Sequence, residues 1–137
     1  MTGTWTGGCA CGAVRYETGG APRVMANCHC RDCQQATGSG YAPLVHLAEG
    51  TFRMTNGEPR WFDRRGDRGT VVRRGFCGDC GSPLFQVNAS TEAWWIYAAS
   101  LDNPATYAPS MEMFTSSAQP WDTMHPDLPK YERMPDD

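Results

Sequence analysis

Three of the seven cysteines in this chain, Cys28, Cys30 and Cys33, fall within six residues. Residues i and i+2 of an extended segment point to the same face, so Cys28 and Cys30 can offer their sulfurs to one ion while His29 points away. Cys33 can then approach from a following helical turn. Three thiolates around a tetrahedral zinc leave a fourth position for water or a substrate atom, which is typical of a catalytic site.

A second sharp motif is the pair Cys77 and Cys80. Two cysteines separated by two residues in a tight turn can bind one zinc, and Gly78 and Gly81 can take the positive φ values that such turns often need. A redox Cys-x-x-Cys is the alternative. That motif normally precedes a helix, whereas residues 84–87 have the pattern of a strand, so the spacing favours zinc.

Cys9 and Cys11 repeat the same-face spacing, and the seven cysteines therefore divide as four plus three. We expect two zinc ions per chain, one in a closed structural site and one in an open catalytic site. The structural set is Cys9, Cys11, Cys77 and Cys80, and the catalytic set is Cys28, Cys30 and Cys33. The alternative for the catalytic set is a closed site completed by His46, His125 or an acidic side chain.

The length and composition limit the classes of protein to which the chain can belong. A chain of 137 residues fits one zinc-binding domain, spanning residues 1–137, with one hydrophobic core. It has no run of 18 apolar residues that could span a bilayer, and residues 1–20 lack a basic start followed by an apolar stretch. We therefore expect a cytoplasmic protein with reduced thiols, in which clustered cysteines bind metal. The formal charge of −3 favours neither nucleic acid nor anionic membranes as partners.

Residues 60–74 nevertheless carry a local positive charge. The charged residues are Arg60, Arg64, Arg65, Arg68, Arg73 and Arg74, set against Asp63 and Asp67. With Trp61 and Phe62 beside them, these arginines could bind nucleic acid. Because the chain as a whole is acidic, a solvated hairpin or a rim that holds a small anionic ligand is the favoured interpretation.

The elements that must position the central cysteines are strands and one short helix. Alternating apolar and polar residues predict a strand at 13–17, and a second strand at 23–28 leads into the cysteines. Residues 31–36 can form one or two helical turns that end at Gly38 and Gly40.

Further along the chain, three segments are predicted to be extended. Residues 41–47 are apolar and β-prone, but Pro43 predicts an edge strand or a bulge. Residues 51–62 resemble a hairpin that turns at Asn56. The continuous apolar run at 93–99 predicts the central buried strand.

The C-terminal part is expected to be long and irregular. Its last 34 residues contain six prolines, which exclude long helices and central strands. Its aromatic residues indicate that the segment packs over the sheet, where it could cover one side of the open site; they are Tyr107, Phe114, Trp121 and Tyr131.

Short motifs extend through nearly the whole chain. They are Gly8-Cys9-x-Cys11-Gly12, Cys28-His29-Cys30-x-x-Cys33 with Gly38, Phe76-Cys77-x-x-Cys80-Gly81-Ser82, Leu101-Asp102-x-Pro104, Pro109, Trp121 and Leu128-Pro129-x-Tyr131. In these motifs, and in the order of its seven cysteines, the chain resembles the glutathione-dependent formaldehyde-activating enzymes, a family that also includes centromere protein V. One departure is visible. Many members have a histidine shortly after the proline that Pro109 matches, whereas here residues 110–113 are Ser-Met-Glu-Met.

The resemblance implies a mainly β fold of small zinc-stabilised antiparallel sheets, of the type shared with methionine sulfoxide reductase B. It implies a structural and a catalytic zinc on the two cysteine sets given above. It also implies a carbon–sulfur lyase that joins a thiol such as glutathione to a small aldehyde, formaldehyde, giving S-(hydroxymethyl)glutathione. A zinc with an open position would lower the pKa of the thiol and hold the thiolate beside the aldehyde.

Other side chains could assist this reaction. The guanidinium groups of three arginines could bind the carboxylates of glutathione in a bidentate manner; they are Arg31, Arg73 and Arg74. His29 and His46 are possible proton carriers, although a structural role is favoured for each.

Two other functions remain open at this point. A noncatalytic zinc module that binds a protein or chromatin partner would have a closed Cys28, Cys30 and Cys33 site. A methionine sulfoxide reductase would need a late nucleophilic cysteine free of metal, and no cysteine follows Cys80.

Overall fold

The computed structural model describes residues 4–66 and 69–135, which form a mainly β protein with one short α-helix. The strands are β1 (Thr4–Gly8), β2 (Arg15–Gly19), β3 (Val24–Cys28), β4 (Ala42–His46), β5 (Phe52–Asn56), β6 (Arg60–Arg65), β7 (Val71–Phe76), β8 (Pro83–Asn88), β9 (Ala93–Tyr97) and β10 (Met111–Met113). The helix α1 spans Arg31–Thr37, and short 3-10 turns lie at Ala98–Ser100, Pro104–Thr106 and Thr115–Ser117. The fold class predicted from the sequence is confirmed. Within the described ranges, no helix is long and apolar enough to cross a membrane.

The strands form a small and a large sheet. The small sheet has the order β1-β2-β5 and is antiparallel. The large sheet has the order β10-β3-β4-β9-β8-β7-β6, and all its neighbours are antiparallel except β10, which runs parallel to β3. β9 is the middle strand of this sheet, which confirms the expectation for the apolar run at 93–99.

The two faces of the large sheet belong to different cores. Because side chains alternate along a strand, Val45 and Ile96 face the small sheet while Leu44 and Tyr97 face the opposite side. The first core lies on the side of the small sheet and includes Phe85. The Phe85 ring contacts those of Tyr16, Phe52, Trp61 and Trp94. The second core contains Ala26, Cys28, Cys33, Ala42, Leu44, Tyr97 and Met113. The central cysteines therefore lie on the face of the sheet away from the small sheet.

The expectation that residues 41–47 form an edge strand or a bulge is wrong. β4 lies inside the large sheet, between β3 and β9. Its pairing with β9 involves Leu44, Val45 and His46, so Pro43 lies beyond that ladder and its missing N–H breaks no pairing there.

The predicted hairpin at 51–62 is also wrong. β5 pairs with β2 in the small sheet, whereas β6 pairs with β7 in the large sheet. The turn between them passes Gly57, which has a φ of 67° and no room for a side chain, since a Cβ would lie 2.0 Å from the carbonyl oxygen of Ala13. Strand propensity identifies extended segments but not their partners, and here the turn carries the chain from one sheet to the other.

The C-terminal segment packs against the large sheet and the helix, as predicted, but two of its four aromatic residues do not carry this packing, since Trp121 is 69% and Tyr131 is 37% exposed. β10 extends the sheet beside β3, and the backbone N–H of Tyr131 donates to the carbonyl of Glu112. Further contacts reach the helix, because the Gln34 side chain in α1 donates to the carbonyl of Ser117 at 3.0 Å and accepts from Gln119 at 3.1 Å. The segment thus covers the helix that carries Cys33.

Candidate metal centres

The junction of β3 and α1 brings Cys28, Cys30 and Cys33 together. Cys28 ends β3, and Cys30 is the N-cap of α1, where its sulfur accepts from the backbone N–H of Cys33 at 3.3 Å. The helix ends at Gly38, which has a φ of 69° in the left-handed region. All three sulfurs lie within 4.8 Å of one another, with Cys28 and Cys30 on an extended segment and Cys33 on the following helical turn, as the spacing predicts.

Within the described ranges, no histidine or carboxylate completes this three-sulfur group. His46 stacks on Trp95 with ring centroids 4.3 Å apart, and His125 accepts from the backbone N–H of Asp127. His29 points away from the sulfurs and lies between the carboxylates of Glu112 and Asp122. The geometry therefore favours the open arrangement over the closed alternative.

The other four cysteines form a second group, in which all four sulfurs lie within 4.8 Å of one another. The Cys11 sulfur is 3.6 Å from that of Cys9 and 3.7 Å from that of Cys77. Sulfurs at the corners of a tetrahedron around zinc, each about 2.3 Å from the ion, would lie about 3.8 Å apart. The donor set and its spacing fit a closed tetrahedral site.

The turn at Cys77 and Cys80 uses its two glycines differently. Gly81 has a φ of 77°, as expected, and its N–H donates to the carbonyl of Cys77 at 2.8 Å. Gly78 does not have a positive φ; a Cβ at that position would instead lie 2.6 Å from the Arg60 side chain. The following residues enter β8 rather than a helix, which argues against the redox alternative.

The three central sulfurs share negative charge unequally. Hydrogen bonds from Cys28 and then Cys33 lower the pKa of Cys30 to about 2, while the hydrogen bond with Cys30 holds the pKa of Cys28 well above its usual value. In the other group, hydrogen bonds with Ser82 lower the pKa of Cys80 to about 5. Each group thus contains a sulfur whose thiolate is stabilised by neighbouring hydrogen bonds, and thiolate is the form in which cysteine binds metal.

Three polar side chains of the sheet lie close to the central sulfurs. The Arg74 Nη2 is 3.8 Å from the Cys33 sulfur, and the Gln86 Oε1 is 3.9 Å from it. The Tyr97 hydroxyl donates to the same oxygen of Gln86 at 3.2 Å. Burial lowers the pKa of the Arg74 guanidinium, but Tyr97 and Cys33 outweigh that effect and leave the pKa above its usual value.

Sequence reasoning missed Gln86 and Tyr97, because neither belongs to a recognisable motif. The pairing of the strands is what identifies these two residues as neighbours of the cysteines. Arg74 and Gln86 are direct partners on β7 and β8, and Gln86 is opposite Trp95 on β9. Tyr97 is two residues beyond Trp95 and so faces the same side.

The other arginines suggested for carboxylate binding lie elsewhere. Arg73 pairs with Asp63 at 3.0 Å, and its guanidinium lies 4.8 Å from the ring centroid of Trp61. Arg31 donates to Gln34 within α1 at 2.6 Å. In the basic stretch, Arg64 pairs with Asp32 at 2.9 Å, and Asp67 and Arg68 lie outside the described residues.

Two depressions share Pro83 and Tyr97 in their linings. The larger has a volume of about 590 Å³ and runs past Cys9, Thr37 and Asp102, and the smaller has a volume of about 180 Å³ and includes Arg74. The larger volume falls within the range of about 300–1,000 Å³ that small-molecule sites have.

At one end of the larger depression, Arg15 forms a two-pronged pair with Asp102 at 2.9 and 2.5 Å. The hydrogen bonds from Arg15 and then Thr6 lower the pKa of Asp102 to about 2. A carboxylate and a guanidinium therefore line the larger depression, together with Cys9 of the four-cysteine group.

Comparison with known proteins identifies the class. The family model of the glutathione-dependent formaldehyde-activating enzyme matches residues 4–117, and the chain belongs to this family. It is an enzyme family of the carbon–sulfur lyase type.

A crystal structure of a Rhodobacter sphaeroides protein from a structural genomics programme has the same fold. It aligns with a TM-score of 0.53 and 20% sequence identity, covering 91% of this chain and 98% of that one. No curated protein matches the chain.

Proposed function

We propose that this protein is a zinc-dependent carbon–sulfur lyase that forms S-(hydroxymethyl)glutathione from glutathione and formaldehyde. The observation that carries the proposal is the open three-sulfur group of Cys28, Cys30 and Cys33, which lacks a fourth ligand among the described residues. Arg74 and Tyr97, which line the smaller depression, both interact with Cys33. Family membership supplies the substrates. The seven free cysteines suit a cytoplasmic protein that keeps its thiols reduced.

In the proposed arrangement, Cys28, Cys30 and Cys33 hold the catalytic zinc, and Cys9, Cys11, Cys77 and Cys80 hold the structural zinc. When bound, the catalytic zinc would supply Lewis acidity that lowers the pKa of a substrate thiol in its open position. The sulfur then bonds to the aldehyde carbon as the carbonyl π bond breaks, and the proton lost by the thiol ends on the former carbonyl oxygen. Reactants and product therefore balance without an external oxidant or reductant.

The chain's own residues would orient the thiol. The depressions that share Pro83 and Tyr97 offer room for a tripeptide, and Arg74 in the smaller one reaches the Cys33 sulfur. Arg15 lines the larger depression, but its guanidinium is paired with Asp102 and would have to leave that pair to bind a carboxylate of glutathione.

Titration calorimetry of the zinc-loaded protein with glutathione and with S-methylglutathione tests the proposal. Methylation removes the ionisable thiol but keeps both carboxylates, so we expect glutathione to bind at least about tenfold more tightly. A Cys30→Ser variant should lose this preference. If the two ligands bind equally well, or neither binds at millimolar concentration, a noncatalytic zinc module becomes the better assignment.

A further inference from the structure

The charge of the three-cysteine site poses a problem for the proposed reaction. Three thiolates around one divalent ion leave a net charge of −1, and a substrate thiolate as the fourth ligand would raise it to −2. Cys28 and Cys33 are buried, at 4% and 1% exposure, and uncompensated charge is costly in such surroundings. A nearby cation is needed if the fourth thiolate is to bind well.

Arg74 is placed to supply that cation. Its Nη2 lies 3.8 Å from the Cys33 sulfur, within hydrogen-bonding range for sulfur. Its Nε is buried and has no hydrogen-bond partner among the described residues. No carboxylate forms an ion pair with Arg74 in the described part of the chain, in contrast to Arg64 and Arg73 in the same basic stretch. The Arg74 charge is therefore directed to the cysteine cluster instead of being neutralised by an acid.

The position of Arg74 in the sheet is well defined. It stands on β7, an inner strand of the large sheet, directly opposite Gln86 on β8. Gln86 in turn accepts from Tyr97 and approaches the Cys33 sulfur. Arg74 also lines the smaller depression, so the same residue contacts both the cluster and that space.

We propose that Arg74 is a positioning residue that offsets the negative charge of the Cys28, Cys30 and Cys33 metal unit and thereby admits the substrate thiolate as the fourth ligand. This role rests on the proposed function. It differs from direct binding of a glutathione carboxylate by Arg74. The charge of Arg74 acts through Cys33, so it favours any thiolate that binds as the fourth ligand.

The test measures thiol binding to protein in which the catalytic site is loaded with cobalt(II), whose visible sulfur-to-metal bands change when a further thiolate coordinates. The variants are Arg74→Met and Arg74→Lys, with Arg73→Met as the matched control on the neighbouring position. The probes are glutathione and 2-mercaptoethanol, which has a thiol but no carboxylate.

We expect Arg74→Met to weaken the binding of both thiols about 10- to 100-fold, the usual cost of losing a group that supports metal ligands. Arg74→Lys should recover part of this loss because it keeps the charge, and Arg73→Met should bind as the wild type does. The cobalt bands before thiol is added show whether each variant has kept its three-sulfur site.

Other outcomes overturn the inference. A loss confined to glutathione would make Arg74 a carboxylate ligand, and equal weakening in Arg74→Met and Arg74→Lys would exclude charge as the cause. Unchanged binding in both variants would remove any role for Arg74 while leaving the proposed function standing. If the wild-type protein binds neither thiol, the proposed function itself fails.

Discussion

The Nε2 atom of His29 lies 2.7 Å from the Oε1 atom of Glu112, and both side chains are 1% exposed. His29 belongs to the central cysteine motif, whereas Glu112 stands on β10 in the C-terminal segment. The other ring nitrogen of His29 lies 2.5 Å from Asp122. The histidine between Cys28 and Cys30 thus joins the C-terminal segment to the strand that leads into the candidate metal site.

Glu112 lies in the segment where many family members have a histidine. Replacing it with alanine would leave the buried His29 Nε2 without its partner, and the Asn27 side-chain amide, which is 3.3 Å from the carboxylate, without its acceptor. We expect a loss of about 3 kcal/mol, or a fall in Tm of about 10 °C. Glu112→Gln should lose less, because it keeps one acceptor oxygen.

Thermal melts of the zinc-loaded proteins measure this effect, with Glu49→Ala as a control at an exposed position. A Glu112→Ala protein that melts within about 2 °C of the Glu49→Ala control would show that the buried contact contributes little.

The two cysteine groups should differ in their effect on folding. Cys77→Ser breaks a group that joins the turn after β1 to the turn before β8, so it should lower the Tm severely or prevent folding. Cys30→Ser alters a group formed within a single strand–helix junction and should give a folded protein that does not bind glutathione. Thermal melts and circular dichroism of the two variants decide the point, and equal destabilisation would contradict the assigned roles.

The two metal sites should also lose zinc at different rates. The four-sulfur group offers no free coordination position to a competing chelator, whereas the three-sulfur group does. Metal analysis during mild chelation should therefore show two zinc ions per chain at the start, of which one leaves first. Cys30→Ser should contain the slow ion alone. One zinc per chain before chelation, or simultaneous loss of both, would count against the four-plus-three division.

His46 provides a prediction that depends on pH. Burial, and secondly the charge of Arg23, lower the pKa of this histidine in the folded protein. Its neutral form is therefore favoured by folding, and the stability it contributes is present above the unfolded pKa of about 6.5 and is lost as the pH falls through the folded pKa.

NMR titration of the histidine ring protons should give a pKa for His46 below that of an exposed histidine. Arg23→Gln should raise this pKa without restoring it fully, because burial is the larger cause. The control Arg53→Gln removes an arginine that pairs with Glu17 and should leave the pKa of His46 unchanged. A His46 pKa that is unaffected by Arg23→Gln would show that the arginine charge is screened.

The sequence alone determined the features that depend on neighbouring residues. The spacing of Cys28, Cys30 and Cys33 predicted an extended segment followed by a helical turn, and these local geometries bring the three sulfurs together. The apolar run at 93–99 likewise marked the middle strand, because only a strand covered on both faces has no need of polar positions. The cysteine count extended the prediction of a metal group to the pairs Cys9/Cys11 and Cys77/Cys80, which are distant in sequence. Seven thiols divide into a closed group of four and an open group of three.

Only the tertiary structure decided which strands are partners. Strand propensity did not show that β5 and β6 belong to different sheets, or that β4 is an inner strand despite Pro43. The same pairing places Arg74 and Gln86 beside Cys33, and it places Glu112 against His29. These contacts join residues that are distant in sequence, and their formation depends on the register of the whole sheet, which no local pattern of residues contains.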